Sequence, residues 1–183
     1  MGAGLGGGSA DAACFINAID QKYKFNLTED AKTRILSKLG SDCAFFLKNH
    51  PVFAFGKGDE FTTIQVDLSQ FYILAVYPGI HCNTKDAYQD LLPKNPGYDL
   101  RTFIEKTPVS AWKDQLTNDF EPSIFKKHPK VKALKQVLYA AGAQYASLSG
   151  SGSAVFGIFD RRPELSFPAN YNYCLQKPSS RIL

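Results

Sequence analysis

The run Gly2-Ala3-Gly4-Leu5-Gly6-Gly7-Gly8-Ser9 passes straight into Ala10-Asp11-Ala12-Ala13-Cys14-Phe15-Ile16-Asn17-Ala18-Ile19, which has the composition and apolar spacing of a helix. A glycine loop feeding a helix N-terminus is suited to hold an anion, above all a phosphate. Without Cβ atoms the backbone can approach closely, the first-turn N–H groups have no intrahelical partner, and the helix dipole adds partial positive charge. Ser9 adds a hydroxyl that could serve as an N-cap, reach a phosphate or reach a metal ion. Spacing narrows the choice of loop. A Walker loop needs Gly-x-x-x-x-Gly-Lys-Ser/Thr, and the first lysine here is Lys22. The dinucleotide fingerprint Gly-x-Gly-x-x-Gly can be laid over Gly2 to Gly7, but it requires a preceding strand. A flexible glycine linker is the bland reading; Leu5 inside the run and the amphipathic continuation argue against it.

Asp42 is the second candidate. It stands in Leu39-Gly40-Ser41-Asp42-Cys43-Ala44-Phe45-Phe46-Leu47, where an acid follows a helix stop and opens a short apolar segment. Residue type leaves two roles open, an N-cap and a proton-accepting carboxylate. Other chemistries find little support. Cys14, Cys43, Cys82 and Cys174 are scattered without a Cys-x-x-Cys pair, and His50, His81 and His128 are equally dispersed, so neither a zinc site nor a Ser-His-Asp triad is indicated and no metal-ligating residue is expected.

Composition sets the outer bounds. A chain of 183 residues, 44% hydrophobic and 13% aromatic, can build a real core. Its formal charge is +4, and the densest basic cluster, Lys126-Lys127-His128-Pro129-Lys130-Val131-Lys132, reads as a solvated loop and helix face rather than a nucleic-acid patch. No apolar run approaches the ~20 residues of a membrane span. Gly6 stands where a myristoylation motif wants Ser or Thr. The expectation is a cytoplasmic protein with neither nucleic acid nor membrane as partner.

The elements that must carry these residues follow from periodicity. The first helix is expected from about Ser9 to Lys22, with Ala12, Phe15, Ile16 and Ile19 facing inward. Thr28-Glu29-Asp30 should cap a second, with Ala31, Ile35 and Leu39 on its buried face and Gly40 at its end. Val52 to Val66 reads as two strands around the turn Gly56-Lys57-Gly58. Asp67-Leu68-Ser69-Gln70 looks like a junction, which divides the chain into domains 1–68 and 69–183. Beyond it come the strand Phe71 to Tyr77, ended by Pro78-Gly79, and a helix from an N-cap Thr84 to Leu92. Short helices are expected at Asp99 to Glu105 and Ser123 to Phe125. A strong helix carries Val131, Leu134, Val137, Leu138 and Ala141. Two strands meet at the Gly/Ser turn of Ser147 to Ala154, and an edge strand is expected from Tyr171 to Leu175. This order suggests an antiparallel sheet with helices on one face, ferredoxin-like in manner.

Three patches together resemble one family. Gly2 to Ala13 resembles the second motif of the GHMP kinases, in the form carried by the 4-diphosphocytidyl-2-C-methyl-D-erythritol kinases. Leu39-Gly40-Ser41-Asp42-Cys43-Ala44-Phe45-Phe46 is similar to the Leu-Gly-x-Asp-x-Pro-Phe-Phe element of those kinases, with Ala44 in place of proline. Ser147-Leu148-Ser149-Gly150-Ser151-Gly152-Ser153-Ala154 is similar to their glycine-rich third motif. Asn118-Asp119-Phe120-Glu121 falls between in the family order, and the resemblance spans about residues 1 to 160.

The resemblance implies an α+β chain, the remainder of a ribosomal-S5-like N-terminal domain followed by a ferredoxin-like C-terminal domain. It implies transfer of the ATP γ-phosphate to a tertiary hydroxyl of diphosphocytidyl methylerythritol, in isoprenoid biosynthesis, with Mg²⁺ accompanying the nucleotide. Gly2, Ala3, Gly4, Leu5, Gly6, Gly7, Gly8 and Ser9 become the ATP-binding loop. Asp42 orients or deprotonates the hydroxyl, and Ser149, Gly150, Ser151 and Gly152 lie near the substrate. Thr84 and, four residues on, Tyr88 fall where the family has a threonine and an aromatic that stacks on cytosine; a core tyrosine on an amphipathic helix is the alternative for Tyr88.

Full kinases of the family carry a segment before the first of these patches, with a catalytic lysine and base contacts. The expectation is therefore weak or absent turnover by this chain alone, and a homo-oligomer covering an exposed face. Another small-molecule GHMP kinase, or a non-catalytic nucleotide-binding or assembly module, remain as alternatives.

Overall fold

Gly6 opens the first helix in a left-handed conformation (φ 65°), and a Cβ there would lie 2.8 Å from the Phe46 ring, so both backbone and packing select glycine. This is a computed structural model, and it describes residues 2–89, 91, 93 and 95–178. The chain divides into two compact units, Gly6–Gln65 and a second made of Met1–Leu5 with Val66–Leu183. The second unit thus takes in the opening residues of the glycine run, which the sequence reading grouped with the other half.

In the unit Gly6–Gln65, α1 (Gly7–Tyr23) ends at a left-handed Lys24. α2 (Glu29–Ser37) is capped as expected, Thr28 Oγ1 accepting from the Ala31 N–H at 3.2 Å. A 3-10 turn, Ser41–Cys43, leads into α3 (Phe45–Lys48), and the hairpin of β1 (Val52–Phe55) and β2 (Glu60–Thr63) follows with Val52 opposite Thr63. The core is small: Ala13, Leu36 and Cys43, flanked by Ala12, Ile16, Phe46 and Leu47. Two expected faces need correction. Phe15 is 65% exposed, because two residues along a helix turn it about 200° from Ala13, the residue small enough to let α1 close on Leu36 and Cys43. Leu36, rather than Ile35 or Leu39, is the buried residue of the second helix.

In the other unit the expected strand and helix order holds: β3 (Tyr72–Tyr77), α4 (Thr84–Gln89), α5 (Leu100–Lys106), a 3-10 segment Val109–Asp114, α6 (Glu121–Lys127), α7 (Pro129–Ala140), β4 (Tyr145–Leu148), β5 (Val155–Phe159) and β6 (Asn172–Gln176). Leu92, the expected end of α4, lies outside the described residues. The sheet order is β4-β5-β3-β6, every pairing antiparallel, which is the strand order of the ferredoxin-like split βαβ arrangement. Alternation along the strands serves two faces. Leu74, Val76, Ala146, Leu148, Val155 and Phe159 pack with Val131, Leu134 and Leu138 of α7. Tyr145 and Ile158 point the other way, into a cluster with Val109, Trp112, Phe103 and Ile104. The sheet therefore has cover on both faces, against the expectation of helices on one. The 3-10 segment around Trp112, which periodicity did not reveal, supplies part of the second layer.

Candidate functional site

Two groups of the expected residues form within the unit that holds the sheet. Its opening residues are stitched to the Ser149–Ala154 turn. Ala3 O accepts from Ala154 N at 2.9 Å, Gly2 O accepts from Cys82 N at 3.1 Å, and Gly4 O accepts from Ser149 Oγ at 2.7 Å. Gly4 has φ 75°, and a Cβ on it would lie 2.0 Å from Ser149 O. No side chain fits there, so this glycine is a condition of the contact. The turn itself is closed by Ser149 N–H to Ala154 O (2.8 Å) and Gly152 N–H to Ser149 O (2.9 Å).

Thr84 begins α4, and its Oγ1 lies 3.4 Å from Ser151 Oγ. The bond at the helix start comes from the preceding residue, Asn83, whose Oδ1 accepts from Lys85 N at 2.9 Å, so Thr84 is not the N-cap and its hydroxyl points to Ser151. One turn on, Tyr88 is 61% exposed and sets its ring edge-to-face with Phe120, centroids 4.9 Å apart and planes at 81°. It is not a core tyrosine. Its ring stands against a neighbour and presents area to solvent, as a stacking platform must. The four turn residues 149–152, Thr84 and Tyr88 thus share one unit with Gly2 to Leu5.

The residues between these pieces were noted in the sequence only for their order. Asn118 Nδ2 donates to both Leu148 O and Gly150 O, each at 2.9 Å, while Glu121, buried, accepts from Leu148 N at 3.0 Å and pairs with Lys135 Nζ at 2.7 Å. A carboxylate so placed needs its cation. Lys135, fourteen residues on in an otherwise apolar helix face, was the only hint in the sequence.

The remaining residues belong to the unit Gly6–Gln65. Gly6, not Ser9, is the N-cap of α1, and no side-chain oxygen caps the helix. Ala10 N–H donates to Gly6 O at 2.9 Å, and the N–H groups of Gly7, Gly8 and Ser9 precede the first intrahelical bond. No acidic side chain sits in that first turn. A Cβ on Gly7 would meet nothing within 4 Å, so packing within the protein does not call for glycine there, whereas close approach of an anion would. This donor set fits a phosphate.

Asp42 lies on the 3-10 turn whose N-cap is Gly40, so the capping role left open by residue type is not the one it takes. Its exposed carboxylate accepts from Ser41 Oγ at 3.0 Å. The next residue, Cys43, packs with Ala13, and the Phe46 ring lies against Gly6, so the core anchors the Asp42 turn to the N-terminal half of α1. All four cysteines are free, Cys14 and Cys174 exposed and Cys43 and Cys82 buried, and burial pushes the Cys82 thiol up from its ordinary value. Among the described residues, no group of three or more His, Cys, Asp or Glu side chains could hold a metal ion, and no helix is long and apolar enough to cross a membrane.

Comparison with known proteins gives the class. Residues 1–57 match the GHMP kinases N terminal domain and residues 99–167 the GHMP kinases C terminal domain; the chain belongs to the GHMP kinases. It is 44% identical over 167 residues to a protein of Bacteroides thetaiotaomicron named 4-diphosphocytidyl-2-C-methyl-D-erythritol kinase, a match covering 91% of this chain and 60% of that one. A protein of the same name from Parabacteroides distasonis is 40% identical over 174 residues, covering 95% and 64%. The chain thus spans roughly three fifths of the length of these relatives. A crystal structure of 4-(cytidine 5'-diphospho)-2C-methyl-D-erythritol kinase superposes with TM-score 0.69 at 26% identity, covering 86% of this chain and 57% of that one. Homoserine kinase from Cytophaga hutchinsonii superposes with TM-score 0.66 at 18% identity, covering 86% and 56%, and so shares the fold.

Proposed function

We propose that this chain binds ATP and 4-diphosphocytidyl-2-C-methyl-D-erythritol and serves the transfer of the γ-phosphoryl group to the 2-hydroxyl of that substrate, in the cytoplasm, as a step of non-mevalonate isoprenoid synthesis. The observation that carries the reading is the pairing, on one small core, of an acid-free glycine-started helix N-terminus with the uncapping, exposed carboxylate of Asp42. The relatives' names supply the substrate. Gly2 to Ser9 hold the phosphates through backbone N–H groups and the Ser9 hydroxyl. Asp42 accepts the proton of the 2-hydroxyl as its oxygen bonds to the γ-phosphorus, and the bond to the β–γ bridging oxygen breaks to release ADP. Thr84, Ser149, Gly150, Ser151 and Gly152 hold the diphosphocytidyl part, with Tyr88 stacked on the base. Mg²⁺ arrives with the nucleotide phosphates; no side chain of the described residues is assigned to it. A homo-oligomer covering the exposed Phe15, Tyr23 and Phe25 of α1 and the segment after it is a further part of the proposal, and a monomer by light scattering at micromolar concentration would remove it.

The test is titration of the chain and of Asp42→Asn by calorimetry, with a non-hydrolysable ATP analogue and with the diphosphocytidyl substrate, alongside transfer followed by phosphorus NMR. Both ligands should bind both proteins, and transfer, weak by this chain alone, should fall by a further factor on the order of 10² or more in Asp42→Asn. Failure of the unsubstituted chain to bind either ligand, or undiminished transfer by Asp42→Asn, overturns the proposal.

A further inference from the structure

We infer that the turn Asn118–Glu121 is the positioning element of the diphosphocytidyl pocket, with Asn118 fixing the glycine-rich turn and Phe120 fixing the ring of Tyr88. The inference rests on the substrate reading above and adds residues to which that reading gives no role. Leu148 O is the last carbonyl of β4, and Gly150 O lies past the strand, where no ladder partner takes it. One carboxamide nitrogen satisfies both at 2.9 Å, using its two hydrogens. The same side chain's oxygen accepts from Phe120 N at 2.9 Å, which closes an Asx turn and leaves the carboxamide no freedom to flip. Among uncharged side chains of this size, an amide alone offers two donors and an acceptor in one plane.

The consequence of this clamp is geometric. Ser149, between the two clamped carbonyls, gives its hydroxyl to Gly4 O, and Ser151, just after them, gives its own to Thr84 Oγ1. Gly150 sits at φ 53° and Gly152 at φ 84°, so the turn has little intrinsic preference for one shape and depends on bonds from outside. Two residues past Asn118, Phe120 packs against the main core and meets Tyr88 edge-on at 4.9 Å. Glu121 then binds Leu148 N and Lys135, which anchors the turn in the interior. Asn118, Phe120 and Glu121 therefore set the distance between the turn proposed to hold the diphosphocytidyl part and the aromatic proposed for its base. A hydrogen-bonded clamp and an edge-on aromatic contact position these groups without touching the ligand themselves.

Two substitutions test this, with cytidine diphosphate and a non-hydrolysable ATP analogue as probes. Asn118→Asp keeps size and the acceptor for Phe120 N but turns an oxygen toward two carbonyls. It should weaken cytidine diphosphate binding by about tenfold, the order of one lost clamp, and raise amide exchange at Ser149 and Gly152. Phe120→Leu keeps the apolar packing and removes the edge-on contact. It should weaken cytidine diphosphate by about threefold while leaving the ATP analogue's affinity unchanged, a separation that general loosening of the fold would not give. Should Asn118→Asp fail to fold, Phe120→Leu alone decides. Unchanged cytidine diphosphate affinity in the folded variants overturns this inference and leaves the substrate reading standing. No cytidine diphosphate binding by the unsubstituted chain at millimolar concentration overturns both.

Discussion

The two units are made by the same chain at very different core depth. The unit with the sheet encloses a cluster that runs from Leu74 through Val131 and Leu138 to Phe159, and a second around Trp112 and Tyr145. The unit Gly6–Gln65 encloses Ala13, Leu36 and Cys43, while Phe15, Tyr23, Phe25, Ile35, Leu39 and Phe55 remain exposed. One unit has enough apolar contact to define its shape by itself. The other carries the glycine-started helix and Asp42, the groups proposed for phosphoryl transfer, on a core of three buried side chains, where each contact is a large share of the stability.

Equal cuts from the two cores should have the largest and most different effects. Leu36→Ala and Leu138→Ala should each cost about 3 kcal/mol. In Leu36→Ala, amide protection across α1 should disappear. In Leu138→Ala, the urea midpoint read by Trp112 fluorescence should fall while the transition stays cooperative. Retained protection of α1 would show that the small core is deeper than its three buried residues indicate. Next in size, Lys135→Met leaves the Glu121 carboxylate buried without its cation and should cost about 3 kcal/mol, lowering the same midpoint; a midpoint within error of the parent would mean the pair contributes nothing net.

Alkaline titration sharpens the picture for the second face of the sheet. Burial, more than any neighbour, pushes the Tyr145 phenol up to about 12. Unfolded, a tyrosine ionises near ~10, so between these values the unfolded chain gives up a proton that the folded one keeps. The contribution, about 2 to 3 kcal/mol, is complete below pH ~10 and is lost as the pH rises toward about 12. Fluorescence of Trp112, whose ring lies edge-on to Tyr145 at 5.7 Å, should report unfolding in that window, and Tyr145→Phe should shift it to higher pH. An unchanged alkaline midpoint in Tyr145→Phe would remove this group as the cause. The smallest effect belongs to Thr28→Ala, which removes the cap on the Ala31 N–H and should cost about 1 kcal/mol, measurable as faster amide exchange in the first turn of α2.

Much of the local structure was legible because it is set by neighbours in sequence. Thr28 caps as its type predicts, and the Val131, Leu134, Leu138 spacing is the buried stripe of α7. Val137, counted with that stripe, is 44% exposed, since periodicity marks apolar positions without saying how wide a face the sheet will cover. The glycine loop and Asp42 stand out in the sequence by residue type and spacing. The choice between capping and free carboxylate was not, because it turns on whether Gly40 or Asp42 begins the 3-10 turn, a difference of two residues.

By itself, the sequence determined the glycines, whose freedom at Gly4 and Gly6 is a property of the residue, along with the helix caps and the strand and helix order, all governed by interactions a few positions apart. Only the tertiary structure decided that Gly4 O would meet Ser149 Oγ, 145 residues away, and that Asn118 would hold two carbonyls about thirty residues on. It also decided that α1 would bury Ala13 and leave Phe15 exposed on this chain. Hydrogen-bond capacity and hydrophobicity are fixed by residue type, but the partner that satisfies them is fixed by which surfaces close together, and a linear pattern holds no record of that.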